Sequence, residues 1–547
     1  MKKSRWILLL VAVTAVSFAF TRPAERYFEI AKSLDIFATL FKEVNAYYVD
    51  DVEPKKLIRN GMDNMLESLD PYTIYIPEEE LESFRILTTG QYAGIGALIN
   101  VINNKTVITH PYKDFPAYKA GVRVGDEIIS INGKSMVGMA PSEITSGLKG
   151  QAKTEVELKV KRAGAGELTF KIKREKISIT NISYFGMIGT SDVGYIKLDE
   201  FTPGAAKEVS EAVLSLKAQG AKKLILDLRD NLGGLMHEGI NIVNLFIGKN
   251  QEVVSTKGKV KEWNKTYSTL NNPLDTEIPL AVLTSEVSAS AAEIVSGSLQ
   301  DYDRAVLVGR RTFGKGLVQT TRQLSYGSEL KITVAKYYIP SGRCIQALDY
   351  AHRNVDGSVS KFADSLRIEF KTKGGRKVLD GNGIDPDVNT EDEYLSAVAS
   401  ALIQNGLVFE YASKYCGENP NKPDFKTFKL SDSDYTRFTD WLKTQKFAYT
   451  SELETNTNEL IKAAKEERYY PELEAQLSDL KKRIENNKTT DLIRFKKEIS
   501  EVLEQQIAFH YALAEGEAAV TLSRDKTVAE AVKILGDNNR YKKILTP

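Results

Sequence analysis

The apolar positions of this 547-residue chain change their period three times. Phe28, Ala31, Leu34, Phe37 and Phe41 recur every three or four residues, and Leu57, Met62, Met65, Leu66 and Leu69 continue the rhythm. That spacing lines one face of a helix, so residues 21–88 read as a helical region. Ser68-Leu69-Asp70-Pro71-Tyr72 closes it, because Asp-Pro favours a turn. Over residues 89–176 the period drops to two. Val156–Val160 and Leu168–Ile172 alternate as half-buried strands do, Ala97–Ile102 and Ile129–Ile131 join them, and Pro141–Leu148 is a helix. Asn132-Gly133 marks a tight hairpin. Val193–Leu198 and Leu330–Tyr337 read as strands, and between 177 and 392 unbroken apolar runs appear at Lys222–Leu228, Leu280–Leu283 and Ala305–Val308. Such runs are strands buried on both faces. The helical segments Leu235–Phe246 and the one carrying Ile294, Val295 and Leu299 alternate with them, which predicts an α/β core. Residues 393–547 return to the helical period, with stripes at Leu473, Leu477, Leu480, Ile484 and at Leu492, Phe495, Ile499, Val502, Leu503. Thr527–Glu530 reads as a capping box ahead of Val532 and Ile534. The expectation is a multidomain α/β protein with helical regions at both ends.

Composition changes this picture little. Hydrophobic residues make up 42% and charged residues 27%, enough for more than one core. A net charge of +1 gives no electrostatic case for nucleic acid. Cys344 and Cys416 make no disulfide framework, and sequence leaves open whether they pair. His110, His237, His352 and His510 lack ligand spacing, so no metal site is expected, and no cofactor is expected either. The N-terminus adds more. Lys2, Lys3 and Arg5 precede the apolar run Trp6–Phe20, about fifteen residues against the roughly twenty that span a bilayer. Residues 1–20 read as a secretory signal with Ser17-Phe18-Ala19 near a cleavage site. The alternative is an uncleaved anchor in the inner membrane. Either way the expected location is the periplasm or cell envelope.

Chemistry enters at Val282–Gln300. A strand breaks into small polar residues and then a helix begins, with Ser290 at its start. Free N–H groups and the helix dipole favour negative charge there, as an acyl-transfer nucleophile requires. Alone, Ser288-Ala289-Ser290 reads as a helix cap. A second stretch, Gly309–Thr320, changes the balance: Lys315 lies between Gly314 and Gly316, with Gln319 four residues on. A lysine acts as a base only when desolvation lowers its pKa; Phe313, Leu317 and Val318 supply apolar surroundings. The two stretches resemble the carboxyl-terminal processing (tail-specific) proteases, PDZ-containing serine peptidases with a Ser/Lys dyad. The family pattern S-A-S-A-S-E is matched by Ser288, Ala289, Ser290, Ala291 and Glu293, with Ala292 in place of the third serine. The pattern T-F-G-K-G-x-V-Q is matched by Thr312, Phe313, Gly314, Lys315, Gly316, Val318 and Gln319. The resemblance implies Ser290 as nucleophile, Lys315 as base and Gln319 as the residue that holds the lysine.

Other segments extend it. Tyr92-Ala93-Gly94-Ile95-Gly96, with Ala120–Ile128 and Ile129–Gly133, has the pattern of a PDZ domain over 89–176. Backbone N–H groups of the Gly94–Gly96 loop can hold a terminal carboxylate while the next strand accepts the peptide by strand addition. Tyr92, Gly94, Ile95 and Gly96 are the candidate peptide-binding residues. The strand Lys222–Leu228 runs into Arg229-Asp230-Asn231-Leu232-Gly233-Gly234 and a helix, an anion-friendly arrangement. The resemblance implies one oxyanion N–H from Gly233 or Gly234, with Gly233 preferred, and a second from Ala291. Tyr338–Arg343 and Gly383–Asp387 also match family elements. The implied core, residues 177–392, is a crotonase-like α/β fold, and the N-terminal region is implied to help form homodimers.

The expected function is an exported serine endopeptidase that selects protein substrates by their C-terminal tails. Two other readings compete. One is an inactive PDZ adaptor on a protease scaffold, against which both dyad residues stand in their motifs. The other is a crotonase-like acyl-CoA enzyme, against which the signal and the PDZ pattern speak.

Overall fold

The computed structural model describes residues 27–391, 394–488 and 490–547. The run Trp6–Phe20, with the signal or anchor read from it, lies outside the described residues. Among the described residues no helix is long and apolar enough to cross a membrane. The chain divides into two units, one reaching Ile76 and including Thr321–Ile332, the other comprising Pro77–Thr320 and Thr333–Pro547.

In the first unit, helix 27–47 and helix Pro54–Glu67 precede a short strand, Ile74–Ile76. That strand pairs antiparallel with residues 329–331, Ile74 opposite Lys331. Asp70 forms the expected turn by accepting the N–H groups of Tyr72 and Thr73. The helical stripe is present but little of it is covered: Phe28, Leu34, Ile36 and Leu40 are each more than half exposed.

In the second unit the period-two segment is an antiparallel sheet in the order Ala97–Ile102, Lys105–Pro111, Glu127–Ile131, Glu155–Arg162, Gly166–Lys173. Asn132 and Gly133 both take positive φ, 49° and 77°, as a two-residue hairpin needs. Alternate residues Ile108, Ile131, Leu158 and Ile172 pack with Ile144 and Leu148 of helix Pro141–Leu148. The helix lies beside the end strand Ala97–Ile102.

The continuous apolar runs become the middle of a six-stranded sheet, ordered Ile182–Met187, Val193–Leu198, Lys223–Asp227, Leu280–Thr284, Val306–Gly309, Val388–Asn389. The first pair is antiparallel and the rest are parallel. One face is covered by helices Ala205–Ala218, Met236–Phe246 and Ala291–Asp301. The other is covered by the last two helices, Lys526–Gly536 and Asn538–Leu545, with Val528, Ala531, Ile534 and Leu535 against Tyr195, Ile225, Leu283 and Val308. The penultimate helix starts earlier than the capping box at Thr527 predicts. Asp525 is the cap, accepting the Val528 N–H at 2.8 Å. Both residue types cap well, and the earlier one takes the role, leaving the Thr527 hydroxyl 3.0 Å from that of Thr390.

Helices Ala397–Gln404, Leu407–Glu418, Asp432–Lys443 and Lys496–Thr521 enclose a core around Leu402, Tyr411, Phe438, Leu503 and Ile507. This bundle rests on the period-two domain. Lys113 pairs with Glu515 at 2.6 Å, and the His110 ring meets Phe509 edge-on at 5.4 Å. Gly164 (φ 74°) approaches Gly417 so closely that a Cβ would lie 2.3 Å from the Gly417 carbonyl oxygen. Cys344 and Cys416 are both free thiols.

Candidate active site

Open parallel sheets gather their functional loops at the carboxyl ends of the strands. Lys223–Asp227, Leu280–Thr284 and Val306–Gly309 are consecutive neighbours in register. The three motifs follow their three ends: the Arg229–Gly234 turn, the Ser285–Ser290 turn and the Arg310–Gly316 loop. Backbone bonds join them laterally, Ala289 N–H to the Asn231 carbonyl at 2.9 Å and Phe313 N–H to the Ser288 carbonyl at 3.0 Å.

Ser290 begins helix Ala291–Asp301 with φ 54° and ψ −113°, a conformation that costs a non-glycine residue energy. It is half-buried, whereas Ser288 is fully buried. The Ser288 hydroxyl is committed twice, donating to the Leu228 carbonyl at 2.7 Å and accepting the Ser285 N–H at 2.9 Å. The two serines of the motif therefore have different surroundings, one locked into the turn and one presented at the helix start.

Glu293, one turn into the helix, is the centre of the site. Its Oε2 accepts the N–H groups of both Ser290 and Lys315, each at 2.9 Å. Its Oε1 accepts the Thr312 hydroxyl at 2.6 Å and the Gly314 N–H at 2.7 Å. One carboxylate thus fastens the main chain of Ser290 to that of Lys315, 22 residues beyond Glu293 itself. Burial pushes the Glu293 carboxyl up to about 7, against the pull of those four bonds. Tyr337, also buried, donates its hydroxyl to the Ser290 carbonyl at 3.2 Å and its N–H to the Gly316 carbonyl at 2.9 Å. Tyr337 is a site residue that sequence reasoning did not single out. Glu293 was named from its motif, and its bond back to Ser290 could have been read from the Ser-x-x-Glu capping box.

Gly233, φ 91°, packs directly on the Ser285–Ser290 turn. A Cβ there would lie 2.8 Å from the Ala291 nitrogen and 2.8 Å from the Ser290 Cβ, so no side chain fits. Its N–H donates to Asn231 Oδ1 at 2.8 Å, and the Asn231 amide is held by the Leu198 carbonyl at 2.7 Å. Ala291 is the first residue of its helix, so its N–H has no carbonyl one turn behind it. Lys315 is half-buried. Gln319 lies on strand Leu317–Gln323 with its amide donating to the Thr333 hydroxyl at 3.2 Å. His237 is exposed on the helix after the glycine turn.

The candidate peptide loop is apart from these turns in sequence but built with equal economy of space. Tyr92 ends near Gly94 with the Lys149 ammonium 5.7 Å above its ring. Burial raises the Tyr92 phenol to about 12. Ile95 is buried, its carbonyl accepting the Ala117 N–H at 2.8 Å, and the Gly96 carbonyl accepts the Tyr112 N–H at 2.9 Å.

Fold and turns together define a PDZ-bearing peptidase, and comparison with known proteins agrees. Residues 192–351 match the model of Peptidase family S41, residues 107–162 that of a PDZ domain, and residues 398–535 the C-terminal helical domain of PDZ-proteases. A protein of Staphylococcus aureus named "Probable CtpA-like serine protease" is 37% identical over 347 residues, 62% of this chain and 68% of that relative. The carboxy-terminal-processing protease of Bartonella bacilliformis is 36% identical over 322 residues, 58% of this chain and 73% of that relative. Among solved structures, the photosystem II D1 C-terminal processing protease is 26% identical, covering 69% of this chain and 97% of that one with a TM-score of 0.35. The chain belongs to the carboxyl-terminal processing proteases of peptidase family S41. It is a serine peptidase with a PDZ domain and a C-terminal helical domain.

Proposed function

We propose that the chain is an exported endopeptidase that takes proteins by their C-terminal tails and cuts them with Ser290 as nucleophile and Lys315 as general base. The observation that carries this reading is the shared oxygen of Glu293, which ties the two residues' main chains together. In the proposed step the Ser290 hydroxyl attacks the scissile carbonyl and its proton passes to the neutral Lys315 amine. The oxyanion takes the Ala291 N–H and competes with Asn231 Oδ1 for the Gly233 N–H. A full negative charge is the stronger acceptor. The protonated lysine then donates to the leaving amine, and water, deprotonated by the same group, releases the acyl-enzyme. Gln319 is assigned to steadying the lysine from the adjoining strand.

The strand Ala97–Ile102, at the end of its sheet, and the loop Tyr92–Gly96 are assigned to the substrate's terminal residues and carboxylate. Export to the periplasm or cell envelope rests on the basic and apolar N-terminus. The uncovered stripe of helix 27–47 supports pairing with a second copy. The test is labelling of the full chain with a serine-reactive phosphonate, alongside digestion of an unfolded protein. Wild type should be labelled at Ser290 and digest; absence of both refutes the reading. Light scattering of the purified chain reports the dimer.

A further inference from the structure

We propose that Asp525, which opens the penultimate helix of the C-terminal region, is a positioning residue for the oxyanion turn. The proposal rests on the reading of Arg229–Gly234 as that turn. Asp525 divides its carboxylate between two tasks. Oδ1 caps its own helix through the Val528 N–H at 2.8 Å, and Oδ2 pairs with Arg229 Nη2 at 2.7 Å. The helix is bolted to the sheet by Val528, Ala531, Ile534 and Leu535, so the second oxygen is offered from a fixed place.

Arg229 is the first charged residue of the turn. Its guanidinium also holds Asp227, Nη2 to Oδ2 at 2.6 Å and Nε to Oδ1 at 3.0 Å. A planar fork clamped by two carboxylates cannot rotate without losing one of them. The Asp227 carboxyl is fully buried; burial alone would raise it, but Arg229 and Lys197 outweigh that and hold it at about 2. Between the clamp and Gly233, residues Arg229, Asp230 and Asn231 are each tied by a hydrogen bond to a neighbouring element. Lys197 Nζ donates to the Arg229 carbonyl at 2.6 Å and the Asp230 N–H to Ser285 Oγ at 3.1 Å. The Asn231 carbonyl takes the Ala289 N–H at 2.9 Å, and Asn231 Oδ1 takes the Gly233 N–H at 2.8 Å. The Arg229 and Asp525 side chains are only 21% and 20% exposed, so salt screens the pair weakly. Starting the helix needs a capping oxygen but no charge. The charge adds modestly to the cap through the helix dipole, and its ion-pair partner is Arg229.

The test uses the full chain. Asp525→Asn keeps a good cap and removes the charge; Asp525→Ser is a second variant of the same kind, and Asp525→Glu restores the charge. Readouts are kcat and KM on a short peptide, the rate of phosphonate labelling at Ser290, and active-site titration to count competent molecules. Asp525→Asn should lower kcat per titrated site by about tenfold to a hundredfold, short of the roughly 10²–10³ lost when an oxyanion donor is deleted. KM should stay within about twofold, labelling should slow in step with kcat, and Asp525→Glu should recover part of the loss. Asn and Ser variants with wild-type kcat per titrated site overturn the proposal if Ser290→Ala is inactive, because Asp525 is then a cap alone. A Ser290→Ala chain that still cuts refutes the site reading, and the proposal falls with it.

Discussion

Replacing Glu293 by glutamine tests the centre of the site. The carboxylate accepts four hydrogen bonds, from the Ser290, Gly314 and Lys315 N–H groups and the Thr312 hydroxyl. A carboxyl raised to about 7 from 4.5 corresponds to about 3 kcal/mol, net of the four hydrogen bonds, that the folded state bears when the group ionises. Glutamine removes that term. It also places an NH2 where one oxygen stood. Put on the Oε2 side, the amide faces the N–H groups of Ser290 and Lys315; put on the Oε1 side, it faces the Gly314 N–H. The second costs less, because the Thr312 hydroxyl can turn, and it leaves one buried donor unsatisfied at roughly 1–3 kcal/mol. Loss and gain nearly cancel at pH 8, so the variant should fold. Its remaining bonds are neutral and about half as strong, and the loop carrying Lys315 relaxes. A displacement of about 1 Å in such a site costs on the order of a hundredfold, so kcat should fall about tenfold to a hundredfold. The pH dependence has a definite sign. A carboxyl whose folded pKa is raised contributes stability that is full below its unfolded pKa and is lost as pH rises through about 7. The stability of wild type relative to Glu293→Gln should therefore be larger at pH 5 than at pH 8, by up to about 3 kcal/mol. Scanning calorimetry at the two pH values and initial rates on a peptide measure both effects. Wild-type kcat at pH 8 together with an unchanged stability difference would refute the reasoning.

Four further outcomes are expected. Ser290→Ala should fold and lose activity by several orders of magnitude, whereas Ser288→Ala should lose about 1–3 kcal/mol from its two buried bonds and keep cutting; reversed activities would move the nucleophile to Ser288. Lys315→Arg should be inactive across the working pH range because guanidinium does not deprotonate, and an active variant would send the search for the base to Glu293 or His237. Amidating a substrate's C-terminus should raise KM, since the Gly94–Gly96 loop loses an anionic partner; equal cleavage of acid and amide at low substrate concentration would sink tail recognition. Tyr337→Phe should change stability by about 1 kcal/mol or less and kcat a few-fold, because the Ser290 carbonyl keeps the N–H groups of Glu293 and Ile294.

The layered core was legible because its buried strands are continuous apolar runs, and Val193–Leu198 is read to the residue. Strand Ile182–Met187 escaped notice because it is an edge with only partly buried, alternating positions. The polar hairpins Leu348–Arg353 with Val359–Lys361 and Glu369–Lys371 with Lys377–Leu379 left no apolar period to find. At the candidate site, local motifs singled out Ser290, Lys315 and the glycine turn. They did not expose what Glu293 holds, because its partners belong to another loop and the bond is made only when neighbouring strands align. Asp525 is the extreme case. Its neighbour Thr527 gave the stronger local cap signal, and its pairing with Arg229 depends on a helix docking across the sheet, which no window of sequence contains.

The contact between Gly164 and Gly417 bears on how this protein can be re-engineered or diversify. PDZ domains are treated as cassettes, exchanged to redirect a host enzyme. Here the hairpin turn of the cassette meets a helix with no room for even a methyl group. A donor domain with any side chain at that turn would push its hairpin away from the helix. The domain and the helix that seats it therefore fit as a pair, and an exchanged domain keeps this seat only with glycine at the turn or with the helix moved alongside it.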